Sequence, residues 1–198
     1  MPESAAIKAK KSDAFAGARL VDEAPAEALA ELIGGAEPKV FRGLVADWPA
    51  VAAARRSPAE LVRYLAALDC GATVRAFVGD AQGAGRFFYN SDLSGFNFKI
   101  VEARFKSLLD RLLEIARTGA SEFIYMGSTD TREIAPGFAS QNPLEAVEER
   151  GADPRLWIGT SSRVAPHYDE SDNVACVVSG RRRFILFPTD QIANPLPH

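Results

Sequence analysis

Trp157-Ile158-Gly159-Thr160, then Pro166-His167-Tyr168-Asp169-Glu170, then Gly180-Arg181-Arg182-Arg183-Phe184-Ile185-Leu186-Phe187-Pro188 follow one another toward the end of the chain. The central triplet carries the chemistry. On an extended chain, residues two apart project from the same face, so the His167 imidazole and the Asp169 carboxylate converge while Tyr168 points away. One neutral nitrogen and one anionic oxygen make two legs of the facial triad of two histidines and a carboxylate that suits iron(II), leaving positions for a chelating co-substrate and dioxygen. By itself a His-x-acid triplet is common. A hydrogen-bonded surface histidine beside a loop acid is the ordinary alternative.

Working outward, Asn173 to Val178 and Arg183 to Phe187 are β-rich runs about a Ser179-Gly180-Arg181-Arg182 turn, and Pro188 ends the second; the pattern predicts a hairpin. Upstream, strands are expected at Leu156 to Gly159 and Phe123 to Met126, with a short helix at Leu144 to Glu149. Ile100 to Arg117 places Phe105, Leu108, Leu109, Leu112, Ile115 and Ala116 on one flank and stops at Gly119, as a helix covering a sheet does. Thr73 to Val78 and Arg86 to Tyr89 flank the turn-rich stretch 79–85 and predict another hairpin. Ser57-Pro58-Ala59-Glu60 joins an N-cap serine, a proline at the first helical position and a glutamate that can reach back, and Gly71 closes that helix. A further helix runs from Pro25 to Ile33 before Gly34-Gly35, and a short strand follows at Val40-Phe41-Arg42.

The order and spacing of the three closing motifs, with Asn173 between them, resemble the JmjC-like cupin family, which includes the asparaginyl hydroxylase of hypoxia-inducible factor. The resemblance is specific over residues 156–191 and weaker but collinear from about Val40 through Tyr125. It implies an α+β fold, in which an N-terminal helix and strand region leads into a double-stranded β-helix of the jelly-roll type. Residues 1–20 are expected to be a tail and 21–198 the cupin-like domain. It further implies an iron(II)- and 2-oxoglutarate-dependent dioxygenase of the hydroxylase kind, acting on a peptide, protein or small-molecule substrate. His167 and Asp169 match the first two iron ligands. Asn173 matches a residue near the chelating end of 2-oxoglutarate, and Tyr125 the tyrosine that bonds its distal carboxylate. The family's cationic anchor is a lysine, and the matching position here is Arg182, whose guanidinium can pair with a carboxylate in bidentate fashion. Val164 stands where the family has a threonine.

Each of these residues also has a bland reading. The three arginines suit a solvated turn that blunts a sheet edge, Tyr125 an aromatic capping a core, and Asn173 a side chain satisfying nearby backbone.

The second histidine ligand of the family comes from a later strand. The only other histidine here is His198, preceded by Asn194-Pro195-Leu196-Pro197, which does not resemble that strand. A two-layer barrel of this type uses about eight strands, and the reading reaches only the first few. The expectations are therefore a jelly roll incomplete at its C-terminal end and an impaired or inactive oxygenase. The alternative is a non-catalytic cupin-like module, completed by a partner or by a homo-oligomer through open sheet edges.

Composition narrows the rest. The chain has 198 residues, 47% of them hydrophobic, a range that supports a real core. Its net charge of -3 comes from interspersed acids and bases, so no positive field favours nucleic acid or an anionic membrane. Cys70 and Cys176 form no CxxC, and the opening residues carry no apolar run; both suit a cytoplasmic protein.

Overall fold

The computed structural model describes residues 19–79, 85–90, 92, 94–188 and 190. The expected tail through residue 18, most of the turn at 80–84, and His198 lie outside them. The chain divides into two compact units, Met1–Arg42 and Gly43–His198.

In the first unit, β1 (Glu23–Ala24) pairs in parallel with β2 (Val40–Phe41). Between them a 3-10 turn at Ala26–Ala28 leads into α1 (Leu29–Leu32). Gly34 follows at φ +80°, the left-handed conformation that ends helices most cheaply in glycine. Lys39 bridges Asp22 and Glu37, and Arg42 bridges Glu23.

In the second unit, α2 (Pro49–Arg56) and α3 (Pro58–Leu68) are joined at Ser57. The Ser57 hydroxyl accepts from the Glu60 N–H at 3.1 Å, which is the N-cap bond the sequence called for. The sheet consists of β3 (Thr73–Gly79), β5 (Phe98–Arg104), β6 (Phe123–Asp130) and β7 (Arg155–Gly159), in the order β5-β3-β6-β7 with every pair antiparallel. β4 (Arg86–Phe87) pairs in parallel with β8 (Arg163–Val164). The remaining helices are α4 (Phe105–Thr118), α5 (Thr131–Ile134), α6 (Phe138–Gln141) and α7 (Glu145–Glu148).

The two faces of the sheet divide the molecule's work. Val74 and Ala76 on β3, and Ile124 and Met126 on β6, are buried against Phe105, Leu108, Leu109 and Ile115 of α4, with Leu65, Ile134 and Phe138 completing the core. Phe105 and Met126 are fully buried. Burying one such side chain contributes roughly 1.5–3 kcal/mol before entropy is counted. Strand periodicity turns the intervening residues, including Phe77 and its register partner Tyr125, to the opposite face. That face carries the candidate site.

Three expectations need correction. The first part of the helix expected at Ile100 to Arg117 is strand β5, and α4 starts only at Phe105. Ile100 and Val101 are β-branched, and β3 supplies a complete ladder from Thr73↔Arg104 to Gly79↔Phe98. The hairpin expected between 73–78 and 86–89 does not form: β3 pairs β5 and β6, while β4 pairs β8. Across the expected hairpin at 173–187, no strand is assigned. Val174, Cys176 and Val178 still alternate as partly buried against exposed neighbours, so the period of two holds. A strand also needs a neighbouring backbone, and these runs have no ladder among the described residues.

Candidate functional site

Tyr125 is the third residue of β6, where two glycines make room for its ring. Gly159 is its register partner on β7. A Cβ at Gly159 would lie 2.5 Å from the Ile124 carbonyl oxygen and 3.2 Å from Tyr125 Cδ2. A Cβ at Gly127 would lie 2.9 Å from Tyr125 Cε1. Around Tyr125 the rings of Phe77, Phe87 and Phe98 pack at centroid distances of 5.0 to 6.4 Å.

The His-x-Asp triplet lies just beyond β8 rather than within a strand, yet its side chains converge as expected. His167 Nε2 and Asp169 Oδ1 are 3.8 Å apart, and each side chain is about three-fifths exposed. Tyr168 points away, 75% exposed. His167 Nδ1 lies 2.8 Å from the Ala165 carbonyl oxygen. A carbonyl only accepts, so Nδ1 carries a proton, and in the neutral ring Nε2 is the nitrogen left to act as a donor to a metal. Asn173 donates to Asp169 Oδ2 at 2.8 Å and to the Ser171 carbonyl at 3.2 Å. Asn173, matched by the family resemblance to a residue near the chelating end of 2-oxoglutarate, here orients the Asp169 carboxylate and leaves Oδ1 turned toward the imidazole.

Burial pushes the Tyr125 hydroxyl above its ordinary pKa, the Arg182 guanidinium draws it back down, and the Asp169 carboxylate pushes it up. Both charges therefore act at the same phenol. Arg182 also lies 5.8 Å from the centroid of the Phe184 ring. Tyr125, Asp169 and Arg182, from three separate stretches of sequence, thus share one locus.

A cleft of about 440 Å³ opens beside it. Phe87, Phe88, Tyr89 and Phe96 line one part, Tyr125 and His167 another. The β4–β8 pairing makes this juxtaposition. Arg163 N donates to the Gly85 carbonyl at 2.7 Å, and Gly85, at φ +74°, sits where a Cβ would be 2.8 Å from the Ser161 carbonyl oxygen. Sequence reasoning missed the aromatic hairpin arm, although the density of rings from Phe87 to Phe98 was its signal.

As a metal centre, the pair supplies a free imidazole nitrogen and a free carboxylate oxygen, each oriented by its own hydrogen bond. This donor chemistry fits two positions of a facial iron(II) site. Among the described residues, no group of three or more His, Cys, Asp or Glu side chains is gathered to hold a metal. None of their helices is long and apolar enough to cross a membrane.

The sheet and the helices covering one of its faces are those of a cupin-like protein. The model of the family described as "Cupin-like domain" matches residues 25–197, and the chain belongs to that family. Its mixture of helices and strands accords with an α+β domain of the jelly-roll type. It is similar to JmjC domain-containing protein F of Dictyostelium discoideum, 38% identical over 52 residues, which is 26% of this chain and 11% of that relative. The match therefore spans about a tenth of the relative's length. No solved structure matches the chain significantly.

Proposed function

We propose that this protein is a cupin-like member of the iron(II)/2-oxoglutarate oxygenases of the hydroxylase type, with His167 and Asp169 as metal ligands. The observation that carries the reading is the paired orientation: Ala165 fixes the imidazole with Nε2 free, and Asn173 fixes the carboxylate with Oδ1 free, 3.8 Å away. Iron held there would supply the redox chemistry through which dioxygen oxidatively decarboxylates 2-oxoglutarate to succinate and carbon dioxide, one oxygen atom entering succinate and the other hydroxylating a substrate carbon. The protein's own residues position the reactants. Tyr125, whose hydroxyl burial pushes above its ordinary pKa, would donate to the far carboxylate of 2-oxoglutarate, and Arg182 would pair with it. The substrate is a peptide side chain or a small molecule, and the free thiols of Cys70 and Cys176 suit a reducing, cytoplasmic setting.

Two protein donors hold a labile divalent ion more weakly than three, so turnover by these residues alone is proposed to be low. A second reading is favoured by the run Phe184 to Phe187, four consecutive apolar residues each 42 to 58% exposed. It makes the protein a binding module whose extended segment is covered by a partner strand or a second copy.

Anaerobic iron(II) titration, with and without 2-oxoglutarate, separates the two. Saturable one-to-one binding, tightened by 2-oxoglutarate and lost in Asp169→Ala, is the expected result. Absence of binding, together with oligomers that grow with concentration, overturns the oxygenase reading in favour of the module.

A further inference from the structure

The cleft beside His167 has a built wall. Tyr89 and Phe96 face each other across an antiparallel bridge, their rings nearly parallel at 5.3 Å and 23°. Phe96 and Phe98 continue the column at 4.9 Å and 24°. Phe77 follows at 5.0 Å from Phe98, and Tyr125 at 6.4 Å from Phe77. Rings thus run without a break from the rim of the cleft to the residue acted on by Arg182 and Asp169.

The hairpin arm that holds the rim is braced from its own backbone. Asn97 accepts from the Phe88 N–H through Oδ1 and donates to the Arg86 carbonyl, and Asn90 N–H bonds the Gly95 carbonyl. The rim rings are therefore set in place, yet Tyr89 is 51% and Phe96 57% exposed. Apolar surface held open in this way is uphill in water and marks a binding site more often than a structural accident.

The distribution of charge says what fits. No lining residue of the cleft carries a permanent charge, while Arg182 and Asp169 act at its Tyr125 end. A flat neutral group matches the rim, where offset stacking on a ring column rewards planarity.

We propose that the Tyr89–Phe96–Phe98 column is the substrate-recognition wall of this cleft, and that it takes an uncharged aromatic ring, from a free small molecule or an aromatic side chain of a peptide. This deepens the oxygenase reading by naming the substrate class of its site.

The test uses the full chain in excess chelator and follows binding by NMR. The probes are phenol against cyclohexanol, and N-acetylphenylalaninamide against N-acetylleucinamide. In at least one pair the planar probe is expected to bind about fivefold more tightly than its non-planar counterpart. Phe96→Leu, which keeps apolar volume but removes the ring, abolishes that preference. The phenol arm reports a small-molecule source and the amide arm a peptide one. If Phe96→Leu lowers the melting temperature, Tyr89→Leu at the rim is read in its place. Equal affinity within both pairs, no binding by any probe, or a preference that survives both substitutions overturns the proposal. Because no metal is present, ring binding without a later response to iron(II) sinks the oxygenase reading alone, and iron binding without ring preference sinks this inference alone.

Discussion

Asn173 holds one oxygen of Asp169, at 2.8 Å from Nδ2 to Oδ2, while the other oxygen lies 3.8 Å from His167 Nε2. The amide takes away the freedom of a carboxylate that is otherwise three-fifths exposed. Groups that orient a metal ligand usually matter about as much as tens-fold in affinity. Asn173→Ala is expected to weaken iron(II) or manganese(II) binding by about tenfold, with the melting temperature unchanged, as read by titration calorimetry beside thermal unfolding. Unaltered affinity would remove Asn173 from the site.

Gly159→Ala is expected to destabilise the protein by about 1–3 kcal/mol through overpacking. The added methyl would meet the Ile124 carbonyl oxygen at 2.5 Å, and that atom is backbone of the neighbouring strand, which cannot swing away. Chemical denaturation measures the loss. Gly71→Ala is a useful contrast, since a Cβ there meets nothing within 4 Å and only its φ of +80° is strained.

Arg182 lowers the pKa of Tyr125 against the rise that burial imposes. Removing the guanidinium removes the downward influence, so Arg182→Ala raises the Tyr125 pKa further. An ultraviolet difference titration, with Tyr125→Phe as the reference that isolates this phenol, checks the sign. A fall, or no change, would place Arg182 away from Tyr125.

Asp130 accepts from Arg132 at both oxygens and caps α5 through the Arg132 N–H, which holds its carboxyl at about 2, below the ordinary 3.8. A carboxyl whose pKa is lower in the folded state stabilises the fold above its unfolded value, and the benefit is lost as pH falls through the folded value. The contribution of this pair is therefore present above pH 3.8 and disappears on acidification toward pH 2. Asp130→Asn is expected to flatten that part of the acid-unfolding curve, followed by circular dichroism.

Local signals in the sequence were sufficient for some elements and for the chemistry of the closing motifs. The Ser57-Pro58 start of α3, the stop of α4 at Gly119, and the convergence of His167 with Asp169 all follow from interactions within a few residues of chain. The α+β class and the family likeness rest on patterns of the same kind, and the match over 25–197 agrees with them. The tertiary structure decided what depends on distant partners. Residues 98–104 are strand because β3 lies beside them, although their pattern also suits a helix. Residues 173–178 keep the alternation of a strand without becoming one, because no ladder partner lies beside them among the described residues. Arg86↔Arg163 and Phe87↔Val164 bring the aromatic arm over His167, and no periodicity in either segment announces that meeting. Periodicity records which way a side chain faces; only a neighbouring backbone, chosen by the whole fold, determines what it faces.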